Sequence, residues 1–302
     1  MTGIQHIGEK TDITGPDKRN RIRLPDGRSL GYAEFGTAEG RPLLYFHGLP
    51  ASRLEARLAD QAARRLKIRL IAPDRPGIGL SDFQHGRTLA DWPEDVRHLA
   101  DVLNIDHFTV LGVSGGGPYA VACASLLAER LLAVGLVGAL GPVTIPELAR
   151  TMKWQARVSL RLPGKNPRLA LLYAEMGGVV LRNFPSLAML LLKSAGPDQP
   201  VLARSEVHEI LQDSIAEAFR QGGRGVLLDM DLLGGEWNFD LSGITCPVFL
   251  WHGEQDQTVP IVMGCYLAGA IPSCQTFFYK EEGHFSLPVY HMESILETLT
   301  AH

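Results

Sequence analysis

The stretch Val110-Leu111-Gly112-Val113-Ser114-Gly115-Gly116-Gly117-Pro118 limits what this chain can fold into more than any other, because an apolar run stops in glycines and restarts as a small-residue helix. It reads as strand, tight turn, helix. Gly112 and Gly116 stand two residues to either side of Ser114, so no Cβ crowds a backbone forced into a strained turn. Pro118 suits a first helical turn, where a missing N–H costs nothing, and Tyr119 to Leu127 is rich in Ala and Leu. The new helix aims its free N–H groups back at Ser114, which is what an exposed nucleophile requires.

The rest of the chain supplies the setting for that turn. Arg21 to Leu24 and Ser29 to Phe35 alternate around Pro25-Asp26-Gly27 and predict a hairpin at an antiparallel edge. Pro42 to Phe46 is a short continuous apolar run, as in a strand covered on both faces, and it ends in His47-Gly48-Leu49-Pro50. Ser52 and Glu55 have capping-box spacing for a helix running to about Arg65. Ile68 to Ala72 is the next strand, and it enters the turn-rich loop Pro73 to Asp82. A helix over Asp91 to Leu103 leads to the strand Phe108 to Val113, and Leu131 to Leu140 is apolar again. Strand character returns at Pro247 to Trp251 and Gln275 to Tyr279, with helices from about Val259 to Ala270 and from about Tyr290. Eight strand-like runs alternating with helices predict an α/β fold with a mostly parallel eight-stranded sheet and crossovers of one hand.

Between Gly141 and about Asp240 the rhythm changes to helical spacing broken by Pro and Gly. The chain therefore divides into a core, residues 1–140 and 241–302, and a helical insertion, residues 141–240. Helices are expected over Ile145 to Leu160, Arg168 to Val180, Ser186 to Lys193, Ser205 to Gln221 and Gly225 to Leu233. Trp154, Tyr173, Met176, Phe184 and Met189 make this segment greasy, a character explained equally by packing onto the core and by contact with a ligand.

Composition narrows the partners. With 302 residues, 45% hydrophobic and 21% charged, the chain suits one large globular domain with an insertion. A net charge of -4 leaves no basic field for nucleic acid or an anionic membrane, so a small molecule is the expected partner, and the greasy insertion makes an apolar one the expectation. Oligomeric state is not encoded in any pattern here. Cys123, Cys246, Cys265 and Cys274 form no C-x-x-C pair and read as buried thiols of a reducing compartment, with no zinc site. Met1 to Asn20 lacks the apolar core of a signal peptide, and Glu175, Arg182, Asn183 and Pro185 interrupt Leu169 to Leu192, so a cytoplasmic protein without a membrane span is expected.

In an open parallel sheet, functional groups gather beyond the carboxyl ends of the strands. Ser114, Asp256 in the loop after Pro247 to Trp251, and His284 in the loop after Gln275 to Tyr279 all hold such positions. The G-x-S-x-G turn, the segment Asp74-Arg75-Pro76-Gly77-Ile78-Gly79-Leu80-Ser81 and the order Ser, Asp, His together resemble the α/β-hydrolase superfamily. That resemblance covers nearly the whole chain outside the insertion. It implies Ser114 as nucleophile, His284 as base and Asp256 as the acid that orients the ring, with Glu254 and Asp240 as rival acids. It assigns the oxyanion-binding amides to Leu49 and Gly115 and a structural role to His47. Some relatives take the acid from the preceding strand's end, where this chain has Gly138-Ala139-Leu140 and no carboxylate. The insertion corresponds to a helical cap.

The expected activity is hydrolysis of apolar, small-to-medium carboxylic esters through an acyl-enzyme, with no metal or organic cofactor implied. The same triad serves hydrolysis of carbon–carbon bonds, amides, thioesters and lactones. A ligand receptor of the same fold is the alternative from another class.

Overall fold

Side chains on the central strands alternate between two apolar layers, so the sheet needs helices on both faces. In the computed structural model, which describes residues 20–187, 189, 192 and 195–301, those helices are present. On β5 (Phe108–Val113), Phe108 and Val110 point into one layer and Leu111 and Val113 into the other. On β7 (Val248–Gly253), Val248 and Leu250 oppose Phe249 and Trp251 in the same way. Each such fully buried side chain contributes about 1.5–3 kcal/mol of transfer free energy.

The other strands are β1 (Asn20–Arg23), β2 (Ser29–Gly36), β3 (Arg41–Phe46), β4 (Ile68–Pro73), β6 (Leu131–Val137) and β8 (Cys274–Tyr279). Among the described residues they form one eight-stranded sheet in the order β1-β2-β4-β3-β5-β6-β7-β8. β1 and β2 pair antiparallel, β2 joins β4 antiparallel, and every pairing from β4 to β8 is parallel. The mostly parallel α/β sheet expected from the alternating pattern is thus observed.

On one face lie α2 (Trp92–Val102) and α3 (Gly117–Leu126), following α1 (Asp60–Arg65) of the opposite face. Helix α3 is buried from Gly117 to Ala124, and it lies so close to its neighbours that a Cβ on Gly116 would come within 2.1 Å of the Phe46 carbonyl oxygen. Small residues at this turn are therefore a packing requirement.

Between β6 and β7 the chain forms α4 (Pro146–Thr151), α5 (Trp154–Lys165), α6 (Pro167–Asn183), α7 (Asp198–Leu202), α8 (Ser205–Ala218) and α9 (Arg224–Gly234). The single helix expected over Ile145 to Leu160 is split, because Met152 and Lys153 leave the helical region at ψ 149° and 137°. The helix expected over Ser186 to Lys193 falls partly on residues outside those described, as does the polar arm up to residue 19. Leu211, Ile215, Phe219 and Val226 are buried, whereas Trp154, Leu172, Tyr173, Met176 and Phe184 are exposed, so packing accounts for only part of this segment's apolar character. Helix α10 (Ile261–Ala270) follows β7, and α11 (Ser286–Thr300) closes the chain, beginning four residues before the expected start.

Two further expectations are corrected. Cys123 and Cys246 are buried thiols, but Cys265 is exposed and Cys274 is partly so. The strand expected to reach Leu140 ends at Val137, because Gly138 turns it at φ +52°. No helix of the described residues is long and apolar enough to cross a membrane.

Candidate active site

Strand β5 delivers Ser114 to its carboxyl end, where Val113 is still extended at φ -107° and Ser114 turns to φ +54°. A non-glycine residue in that region is strained, and the neighbouring glycines are what permit it. A Cβ on Gly112 would lie 2.6 Å from the Gly116 carbonyl oxygen and 2.7 Å from the Ala120 Cβ. Ser114 to Gly116 form one tight turn before α3.

The loops after β7 and β8 bring two more side chains to this point. His284 Nδ1 lies 2.7 Å from Asp256 Oδ2, and His284 Nε2 lies 3.0 Å from Ser114 Oγ. Because Nδ1 faces a carboxylate it carries the proton, so Nε2 is left to accept the serine O–H. Asp256 Oδ1 in turn accepts the N–H groups of Thr258 and Val259, both at 2.8 Å, which fixes the carboxylate's rotamer. Burial acts against a charged His284 ring, but the Asp256 carboxylate, with Asp198 and Glu55 behind it, outweighs that effect and the imidazole's pKa is raised. The rival acids lie elsewhere: Glu254 is exposed, and Asp240 is spent on the N–H and hydroxyl of Ser242. Gly138, where the resemblance allowed a carboxylate, abuts the pair directly, its Cβ position being 3.3 Å from His284 Nδ1.

The loop after β3 approaches Ser114 from the other side. Arg75 Nη1 donates to the His47 carbonyl oxygen at 2.5 Å and Nη2 to that of Gly48 at 2.8 Å. In a trans peptide the N–H points opposite the carbonyl, so the amides of Gly48 and Leu49 both face away from Arg75. The Gly48 N–H is taken by Glu55 Oε2 at 2.7 Å. Leu49 N lies 3.3 Å from the Cβ position of Gly115, so the two residues expected to bind an oxyanion are neighbours. His47 is fully buried and its Nδ1 is 3.0 Å from the Gly48 carbonyl oxygen, the structural placement expected of it. Burial and the nearby Arg75 push its pKa well down, so the ring is neutral.

Several residues here gave no signal in the sequence. Arg75 is held by Asp229 of α9, which accepts from Arg75 Nε at 2.6 Å, from Arg87 and from the Tyr119 hydroxyl at 2.8 Å. Asp229 is fully buried, which alone would raise its pKa, but Arg75 and Arg87 together hold it below the ordinary carboxylate range. Asp198 of α7 accepts the N–H groups of His284, Phe285 and Ser286 at 3.0, 2.8 and 2.9 Å. Two buried carboxylates from the stretch between β6 and β7 thus fix the two loops that face Ser114. Glu55, expected to close a capping box, does not do so: Ser52 N–H bonds the Ser214 hydroxyl, and the Glu55 carboxyl turns toward Gly48.

These groups surround a small cavity of about 70 Å³. Leu49, Val113, Leu192, Leu211, Ile215 and Phe285 are part of its apolar wall. Among the described residues, no cluster of His, Cys, Asp and Glu is arranged to hold a metal ion.

A family model described as alpha/beta hydrolase fold matches residues 41–289. An uncharacterized hydrolase of Bacillus subtilis, YcgS, is 25% identical over 78% of this chain and 81% of its own length. The 2-hydroxymuconate semialdehyde hydrolase of Pseudomonas putida is 28% identical over 82% of each chain. Among solved structures, a thermophilic esterase from Thermogutta terrifontis superposes with a TM-score of 0.68 at 21% identity, covering 94% of this chain and 97% of that one.

Proposed function

We propose, from the premise that this chain belongs to the α/β hydrolase fold family, that it is a serine hydrolase of small, apolar carboxylic esters. The observation that carries the reading is the continuous hydrogen-bonded line from Ser114 Oγ through His284 to Asp256, set beside the Leu49 and Gly115 amides.

On this reading His284 Nε2 takes the Ser114 proton as Oγ attacks the ester carbonyl, and the imidazolium that forms is stabilised by Asp256. The tetrahedral oxyanion is received by the Leu49 and Gly115 N–H groups, a donor pair of the kind that contributes roughly 3–4 kcal/mol per member. His284 then returns the proton to the departing alkoxide. Water attacks the acyl-enzyme with His284 again as base, and Ser114 is regenerated.

Residues 141–240 act on this reading as a cap. Leu192, Leu211 and Ile215 from that segment close the cavity, which supports an apolar substrate, and its small volume supports a short acyl chain. A second reading, hydrolysis of a carbon–carbon bond in a ring-fission product by the same three residues, is favoured by the 28% identity to 2-hydroxymuconate semialdehyde hydrolase.

The test is labelling by an activated fluorophosphonate together with turnover of a series of phenyl esters, in the native protein and in Ser114→Ala. Labelling at Ser114 and ester turnover that disappears in the variant are the expected results. An unlabelled Ser114, or turnover unaltered by the substitution, overturns the reading.

A further inference from the structure

Glu55 is a carboxyl group in the wall of the apolar cavity that the steps above do not use. Its residue is 9% exposed and it stands in the short helix Arg53–Ala59 that follows the His47–Pro50 loop. One of its oxygens is committed: Oε2 accepts the Gly48 N–H at 2.7 Å and the Tyr45 hydroxyl at 3.3 Å. Its other oxygen, Oε1, takes no hydrogen bond among the described residues. The Cβ position of Gly48 lies 3.2 Å from this Oε1 and 3.5 Å from the Ser114 Cβ, so the free oxygen and the Ser114 side chain flank the same point beside Gly48.

That placement is hard to reconcile with a wholly apolar substrate. Negative charge develops on the ester carbonyl beside Leu49 and Gly115, and a bare carboxylate close by opposes it. A ligand group that donates a hydrogen bond to Oε1 removes the conflict, since it completes the acceptor's coordination and offsets its charge. Burial raises the Glu55 pKa, against the lowering effect of the Gly48 N–H, the Tyr45 hydroxyl and Arg75, and the binding of a donor relieves that same desolvation.

We propose that Glu55 is a recognition residue, and that the substrate carries a hydroxyl or ammonium donor close to the scissile carbonyl which Oε1 accepts. The inference rests on the hydrolase reading and narrows it, from apolar esters to short esters with one donor group.

The experiment compares matched esters: phenyl butyrate with phenyl 3-hydroxybutyrate and phenyl 3-aminobutyrate, and propyl butyrate with 2-hydroxyethyl butyrate. The native protein is expected to show a kcat/KM at least about tenfold higher for the donor-bearing member of one or more pairs. In Glu55→Gln the Gly48 and Tyr45 donors claim the amide oxygen, which leaves an NH2 facing the cavity, so the ratio is expected to fall toward one. A purely structural role for Glu55 would lower turnover of both members alike and leave the ratio standing, and that outcome overturns the proposal. So does the absence of any preference in the native protein, whatever the fate of the variant's fold. Binding of the same pairs to Ser114→Ala, followed by calorimetry, separates the two readings. A binding preference that Glu55→Gln abolishes, without turnover in the native protein, sinks the hydrolase chemistry and keeps the donor subsite, whereas turnover without preference does the reverse.

Discussion

Arg75 Nη2 donates to the Gly48 carbonyl oxygen at 2.8 Å, and this bond sets the direction of the next amide, Leu49 N–H, on the opposite edge of the same peptide plane. The guanidinium is itself held by Asp229, 154 residues away in sequence. The orientation of one donor beside Ser114 therefore depends on a carboxylate contributed by α9.

Arg75→Lys tests that dependence. A lysine ammonium is a point charge without the planar fork that meets His47 O, Gly48 O and Asp229 together. The loop amide is expected to lose its alignment, and kcat to fall about tenfold to a hundredfold with little change in KM. The same variant should bind a boronic acid, which mimics the tetrahedral state, more weakly than the native protein does. A rise in KM with unchanged kcat would show that Arg75 supports ground-state binding instead.

Asp198 fixes the other loop. Its two oxygens share three amides, those of His284, Phe285 and Ser286, and an asparagine has only one acceptor oxygen to offer them. Asp198→Asn is therefore expected to lose at least one buried bond and to cost about 1–3 kcal/mol in urea denaturation. Because His284 sits on that loop, ester turnover should drop further than the population of folded protein explains. Equal losses of activity and folded protein would mean that the loop keeps its shape.

The pH dependence follows from the raised pKa of His284. On the proposed mechanism acylation needs the neutral ring, so activity is expected to climb with pH along a limb centred above the ordinary imidazole value of 6.5. In Asp256→Asn the nearest carboxylate is gone and only Asp198 and Glu55 still oppose burial, so the limb should move to lower pH while the plateau falls. The linked effect on stability has the opposite sense. A group whose pKa is higher in the folded state stabilises fully below its unfolded value, and that contribution is lost as pH rises through the folded value. Rate–pH profiles of the two proteins, with unfolding measured across the same range, check both signs.

The turn at Ser114 could be read directly because apolar runs broken by glycine leave a strong local trace, and Gly112 is demanded by contacts within a few residues of Ser114, whereas Gly116 is demanded by the Phe46 carbonyl at the end of β3. Asp256 and His284 stood out for a related reason, since each lies in the loop that follows a strand at the sheet's carboxyl edge. Asp198 and Asp229 left no such trace. Each acts on a loop far away in the chain, and an aspartate in a helical stretch looks the same whether it faces water or a buried guanidinium. Glu55 was misread because capping-box spacing is a local pattern, whereas the Gly48 N–H that claims its carboxyl comes from a neighbouring strand end. The split near Met152 was missed because apolar spacing continues across it while the backbone does not.

Ser114 allows the strain at the turn to be separated from its chemistry. The residue is held at φ +54°, where a Cβ costs about 1–2 kcal/mol that glycine does not incur. Ser114→Ala and Ser114→Gly both lack the hydroxyl, and on the proposed mechanism both should lose at least about a thousandfold in kcat. They should nevertheless differ in stability. Glycine relieves the left-handed strain but gains conformational freedom in the unfolded chain, and at a position of positive φ the first effect is expected to win. Ser114→Gly is thus expected to unfold at a higher temperature than Ser114→Ala, by the equivalent of about 1 kcal/mol. Identical melting temperatures would indicate that the flanking Gly112 and Gly116 already let the turn relax, and that the half-buried serine is held there without stored strain.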